Sequence, residues 1–485
     1  MKIRSIVMNI SRRKFLIGAG ATGAVIGGGA VLTPMIKRQG ELIDGKSRAL
    51  PVEGTPGPLP KRTDVAIVGG GIIGILTAIN LAERGLDVTV LEKGVVAGEQ
   101  SGRAYGQVIS YEVGKEIFPL HHYGQIYWRE MNKRIGADSS YRTTGRIAVP
   151  SSAESLEKGR AWVKEAQEWA KSSGVPLSTR FIEGEELKQR LAGTSTNYPI
   201  AAFEADAGAV DPEIAAPVLA EYAKRIGVKI YTHCAVRGIE TEGGVISDVV
   251  TEKGAIKASK VVVSAGYWAR LFMGNLGVDV PTLSIYLTQS RMRGLKGMPP
   301  VNVHMPYGEI GVHFRPQADG SYAVAPRVFT ESITKDSFLL SPRFMHVLFS
   351  GAELPLRFKV GEDLIHSFET PTSWKLDEIT PFEKNRIAAA THSPHDLKQE
   401  VQLTREAFPI FKDSEVIEKW GAVVPITDDE IPIISEVPKY PGLVLNVPVG
   451  WGMTESPVSS EITADIIMGR TPKFDIKPFS IDRFK

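Results

Sequence analysis

Hydrophobic and polar positions divide the chain into stretches of different period. Phe15 to Ile36 runs 22 residues without a charge and is closed by Lys37 and Arg38. As a helix at about 1.5 Å per residue it reaches about 33 Å, enough for a bilayer core of about 30 Å. Val65 to Val68 is a short β-branched run and predicts a buried parallel strand. Ile75 to Arg84 reads as a helix with Gly85 at its C′ position, and Asp87 to Leu91 as a second strand. Asp211-Pro212-Glu213 predicts a helix start, with Asp as cap, Pro in the first turn and Glu against the dipole. That helix ends at Gly227, and VKIYTHCAVRGIE, GGVISDV and KVVVSAG supply further strands. GVHFRPQADGSYAVAPRV alternates on both sides of Asp319-Gly320, which predicts a hairpin. Period two puts Gly311, His313 and Arg315 on one face and Val312 and Phe314 on the other. SFLLSPRFMHVLFSGAELPLRF reads as helix that is apolar nearly all round, either extra core or a docking surface. Gly442 to Val447 predicts a last strand, which leads through Gly450, Trp451 and Gly452 into a helix.

Composition changes this picture little. The 485 residues allow two or three domains, and 57 basic against 55 acidic residues give a net charge of +2, which does not call for nucleic acid. Cys234 is the single cysteine, so no internal disulfide and no zinc site is expected, and no metal site is assigned. The N-terminus matters more. Lys2, Arg4, Arg12, Arg13 and Lys14 precede a glycine-rich, modestly apolar run, which resembles a twin-arginine signal. No small-x-small cleavage site closes it, so residues 1–36 read as a retained membrane anchor. Residues 37–62, including PVEGTPGPLPKR, read as a linker.

The chemistry begins at TDVAIVGGGIIGILTAINLAERGLDVTVLEK. Gly69, Gly71 and Gly74 form G-x-G-x-x-G between a strand and a helix. The glycines allow a tight turn and let backbone approach a pyrophosphate, which the helix N-terminus attracts. Glu92 ends the second strand, 18 positions after Gly74, where it can accept from a ribose diol. The motif alone leaves NAD and FAD open. An arginine on a sheet, such as Arg315, can clamp a carboxylate in two hydrogen bonds or form a rim salt bridge.

AGEQSGRAYGQ, residues 97–107, resembles the diphosphate and flavin loop of the D-amino-acid-oxidase/glycine-oxidase superfamily. That resemblance implies non-covalent FAD, with Lys93, Ser101, Gly102 and Arg103 near the cofactor and Val236 holding adenine. It also places Gly266 at the end of a core strand, and Gly450, Gly452, Met453 and Thr454 at the flavin pyrimidine. The stretches GEQSGRAY, EIFPLHHYG, GVHFR, KDSFLL, PTSWKLDE and WGMTE are similar to the membrane-bound L-amino acid deaminases of Proteus-type bacteria. The resemblance extends over essentially the whole chain. It implies that Arg315 holds the substrate carboxylate, Gln107 lies beside substrate and flavin, and Leu287 and Trp451 line the side-chain pocket. VPVG before Trp451 departs from the family pattern and leaves the substrate spectrum open.

The expected architecture is α/β. It has a Rossmann-like FAD-binding domain (63–140, 200–275 and 421–475) and a mixed-sheet α+β substrate domain (141–199, 276–326 and 376–420). An insertion module (327–375) and the N-terminal membrane helix complete it. The expected function is oxidative deamination of L-amino acids to 2-oxo acids and ammonia. Electrons pass to a quinone or respiratory cytochrome without peroxide, in an enzyme anchored in membrane lipid of the inner membrane with its catalytic domain on the periplasmic side. A D-amino acid dehydrogenase and a non-catalytic assembly flavoprotein stay open as alternatives.

Overall fold

The computed structural model describes residues 6–8, 46–326, 328–349, 356–390 and 392–485. The anchor expected over Phe15–Ile36 and the first part of the linker lie outside the described residues. Among the described residues no helix is long and apolar enough to cross a membrane.

The glycine loop belongs to a six-stranded sheet in the order Lys229–Tyr231, Val88–Leu91, Val65–Val68, Lys260–Val263, Leu443–Val447 and Ile433–Glu436. The first five strands are parallel and the last is antiparallel. Both faces are covered, so the strands carry apolar side chains at successive positions. Val65 and Ile67 face the helices Ile72–Ala82, Pro212–Arg225 and Gly452–Ile467, while Ala66 and Val68 face the meander built from residues 236–257 and the helix Ala269–Asn275. Each such valine or isoleucine contributes about 1.5–3 kcal/mol by leaving water.

The second sheet has eleven strands. In spatial order its main path runs Ile6–Met8, Leu356–Val360, Phe329–Ser332, Leu283–Met292, Tyr322–Val324, Val312–Pro316, Asn302–Met305, Arg146–Ala148, Ile200–Glu204 and Thr179–Glu183. The long strand Val416–Ile426 pairs alongside Leu283–Met292. Parallel and antiparallel pairs occur together, as expected of a mixed sheet. The hairpin forms about Gly320, whose φ is +81°, and pairs Arg315 with Ala323. Val312 and Phe314 enter the core of this domain with Met292, Phe408 and Phe411.

The structure divides the chain differently from the sequence expectation in three places. Ile200–Glu204 pairs with Arg146–Ala148 and Thr179–Glu183, so it is part of the larger sheet. Residues 421–426 continue the strand that starts at Val416 and stay with that sheet too. Phe382 packs with Val263 and Phe272 against the six-stranded sheet, which draws the segment around it to the nucleotide side. The insertion is also not apolar all round. Its strands Phe329–Ser332 and Leu356–Val360 extend the larger sheet. Leu340 and Phe344 bury against Leu283 and Ile426, whereas Phe338 and Leu339 face solvent.

Candidate functional site

The turn from Val68 into the helix Ile72–Ala82 works only without side chains. Gly69 has φ +109°, and a Cβ there would meet the Ser264 carbonyl carbon at 3.0 Å. A Cβ on Gly74 would stand 2.0 Å from the Gly69 carbonyl oxygen and 2.8 Å from Ser264 Oγ. Ser101 Oγ accepts from the Ile72 N–H at 2.9 Å and so caps one of the free donors at the helix start. Glu92 accepts from Gly70 N–H and Gly94 N–H, each at 2.7 Å. Burial pushes its carboxyl above the usual range, while Lys93 and these two N–H groups oppose that shift.

One large cavity opens along this turn. It holds about 1390 Å³ of empty space, a figure that includes its open mouth. Gly69, Gly71, Glu92, Lys93, Ser101, Val236 and Gly266 line it on the nucleotide-sheet side. Gln107, Leu287, Gly450, Trp451, Gly452 and Met453 line it as well. Residues far apart in the chain are thus brought together around one cavity. Trp451 is 39% exposed and is the N-cap residue of the helix Gly452–Ile467. The glycine cradle, the capped helix start, Glu92 and a cavity running between two sheets fit a flavin dinucleotide.

Five expected site residues are not on the wall. Gly74 is packed under Gly69. Gly102 is not among the lining residues, and a Cβ there would strike Ala97 O at 2.4 Å. Arg103 is buried and staples loops, donating to Ala388 O at 2.7 Å and Lys46 O at 3.1 Å. Thr454 Oγ1 donates to Gln107 O at 3.1 Å and holds the wall from behind. Arg315 is the main difference. It is 1% exposed, pairs with Asp211 Oδ1 at 3.0 Å and donates through Nε to Tyr105 O. This is neither a rim salt bridge nor a guanidinium on the cavity surface. The cause is Asp211, which stands at the N-cap of Pro212–Arg225 without capping it. Its carboxylate instead accepts from Arg315, Gln317 and the Ala318 N–H.

Glu99, which has no role in the sequence reading, also shapes the site, together with Lys93. Glu99 accepts from Tyr267 Oη and Trp268 Nε1, both at 2.9 Å, and from Ala388 N–H at 2.6 Å. Lys93 donates to Asn385 O at 2.9 Å and Arg386 O at 2.7 Å rather than standing free for a phosphate. Together they tie residues 385–388 to the wall residues Lys93 and Glu99. The phenols of Tyr105 and Tyr267, both on the wall, are pushed up by burial and stay protonated.

Comparison with known proteins adds the following. The family model described as FAD dependent oxidoreductase (DAO) matches residues 64–466. The fold superposes on L-amino acid deaminase from Proteus myxofaciens in complex with anthranilate with a TM-score of 0.89, at 61% identity over 93% of this chain and 100% of that one. L-amino acid deaminase from Proteus vulgaris gives 0.86 and 52% identity over 90% and 100%. Glycine oxidase from Pseudomonas aeruginosa is 26% identical over 86% of this chain and 98% of its own length.

Proposed function

We propose a reaction from the premise that the chain belongs to the FAD dependent oxidoreductase family: it oxidatively deaminates L-amino acids to 2-oxo acids and ammonia. The observation that carries this is the shared cavity, lined by the glycine cradle and by Gln107, Leu287 and Trp451. FAD, when bound, supplies the acceptor for the hydride that leaves the α-carbon. The residues of the chain orient the amino acid and exclude water. No lining group needs to act as a base, because the substrate sheds its ammonium proton before the hydride leaves; the protonated wall phenols are poor bases.

Arg315 holds the α-carboxylate in this reading. Its guanidinium lies against Gly106, a wall residue with no side chain to block the approach. Engagement then means exchanging Asp211 for the substrate carboxylate, one charge-assisted partner for another. Arg315→Ala raises KM strongly while FAD stays bound. Unchanged kinetics would remove Arg315 from the site.

The uncharged run Phe15–Ile36 supports an extension of this reading. It anchors the enzyme in the lipid of the inner membrane, with the catalytic domain on the periplasmic side, and electrons leave to a quinone or respiratory cytochrome rather than to oxygen. The test of the core proposal is anaerobic mixing. L-phenylalanine bleaches the bound flavin and D-phenylalanine does not. The reverse pattern indicates a D-amino acid dehydrogenase, and no bleaching by any amino acid indicates a non-catalytic flavoprotein.

A further inference from the structure

The stretches EIFPLHHYG and WGMTE meet in the fold. The helix Phe118–Ile135 grips the first turn of Gly452–Ile467 through residues on one of its faces. Trp128 Nε1–H donates to Met453 O at 2.7 Å. Gly124 makes room for the Thr454 carbonyl, which a Cβ would approach to 2.1 Å. His121 Nε2 stands 3.3 Å from Glu455 Oε1. Gly452 and Met453 of this first turn, with Trp451 just before them, are cavity wall.

His121 is fully buried, and its ring meets Trp451 edge-on, with centroids 5.8 Å apart and an interplanar angle of 71°. Its Nδ1 is 2.7 Å from Ile109 O. A carbonyl only accepts, so Nδ1 carries a hydrogen. Nε2 then either accepts from a protonated Glu455 or donates to an ionised one. Both arrangements hold one shared proton and no net charge. Glu455 is 1% exposed, and its Oε2 has no hydrogen-bond partner among the described residues, so the contact with His121 is what holds this carboxyl.

We propose that His121 is a positioning residue for substrate specificity: bonded to Glu455, it fixes Trp451 and the helix start that face the substrate side chain. The proposal rests on the reading of the cavity as an amino-acid site. On that reading Trp451 lines the side-chain pocket, so the force of the proposal falls on large side chains. Glu455 works through its hydrogen bond to Nε2, not through a charge.

The test compares full-length, FAD-loaded variants with L-phenylalanine and L-alanine. In His121→Asn the amide keeps the Ile109 bond but is too short for Glu455. It lowers kcat/KM for L-phenylalanine by about tenfold through KM, the scale of one aromatic edge contact, and changes L-alanine by less than about threefold. Glu455→Leu leaves His121 in place and behaves the same way, which covers the case in which His121→Asn does not fold. Glu455→Gln restores the wild-type ratio, since its amide donates to a neutral Nε2. Benzoate binding, read from the flavin absorbance, weakens in His121→Asn and Glu455→Leu and returns in Glu455→Gln. This binding readout does not depend on turnover, so failure of the amino-acid reading is told apart from failure of the positioning role. Equal losses for both substrates, or an unchanged ratio, would overturn the proposal.

Discussion

Replacing Gly106 with alanine tests the wall directly. Gly106 lines the cavity at φ +83°, a conformation that costs an L side chain about 1–2 kcal/mol. The added Cβ would stand 2.1 Å from Val210 O, 2.8 Å from Arg315 Nη2 and 3.0 Å from Pro212 Cδ. The first contact is about 1.3 Å short of the 3.4 Å at which ordinary packing begins. Val210 N–H donates to Gly106 O at 2.9 Å, so the two segments cannot part without breaking that bond. Overpacking of this kind costs about 1–3 kcal/mol, and with the backbone strain the total is about 2–5 kcal/mol. The cheapest relief is outward movement of the wall from Tyr105 to Gln107, which also pulls on Arg315. A shift of about 1 Å at a reacting site costs about a hundredfold in rate. The expected result is a yellow enzyme whose kcat/KM for L-phenylalanine is about a hundredfold lower. Steady-state kinetics normalised to FAD content measures it. Gly114→Ala is the control, because its Cβ would meet only Glu116 Oε2 at 3.6 Å. A Gly106→Ala enzyme within about threefold of wild type, or ~0.7 kcal/mol, would refute the reasoning.

Three further outcomes follow from buried groups. Gly74→Ala purifies colourless and binds added FAD at least about tenfold more weakly, since its Cβ collides with Gly69 O; absorbance at the flavin band and a binding titration read it. Glu400 is fully buried, and neither oxygen has a hydrogen-bond partner among the described residues, so burial holds its carboxyl well above the usual range. Such a group favours the fold below its unfolded pKa of about 4.3, and that contribution is lost as pH rises through the folded value. Glu400→Met therefore raises the melting temperature more at pH ~8 than at pH ~5; equal shifts at both would contradict the assignment. Cys234 is buried, with its thiol pushed up by burial, so the native protein resists iodoacetamide and takes up one equivalent only on unfolding, as intact mass shows.

The parts of the fold that could be read from the sequence are those whose signals are local. The strand at Val65, the glycine turn and the second strand lie within about thirty residues, and each carries its own period or cap. The hairpin about Gly320 was equally plain, because alternation and turn chemistry agree there. What escaped depends on partners distant in the chain. Asp211 carries every local mark of a helix cap, yet its carboxylate goes to Arg315, 104 positions later. Nothing near Arg315 announces that it is already paired. Ile200–Glu204 is an ordinary apolar strand by pattern, and only its neighbours place it in the larger sheet. His121 and Glu455 are separated by 334 positions, so each reads as an isolated polar residue until the two helices cross. Lys93 matched a cofactor role by position, but the carbonyls of residues 385 and 386 claim its ammonium.

The strand Leu443–Val447 lies against Lys260–Val263 within the nucleotide sheet, although it is synthesised long after the glycine turn. Capture of the dinucleotide thereby waits for this late strand: a nascent chain that has already made its glycine turn still lacks the strand and helix that complete the seat. A premature stop codon anywhere before residue 443 yields an apoprotein with an intact glycine signature and nowhere to keep its cofactor.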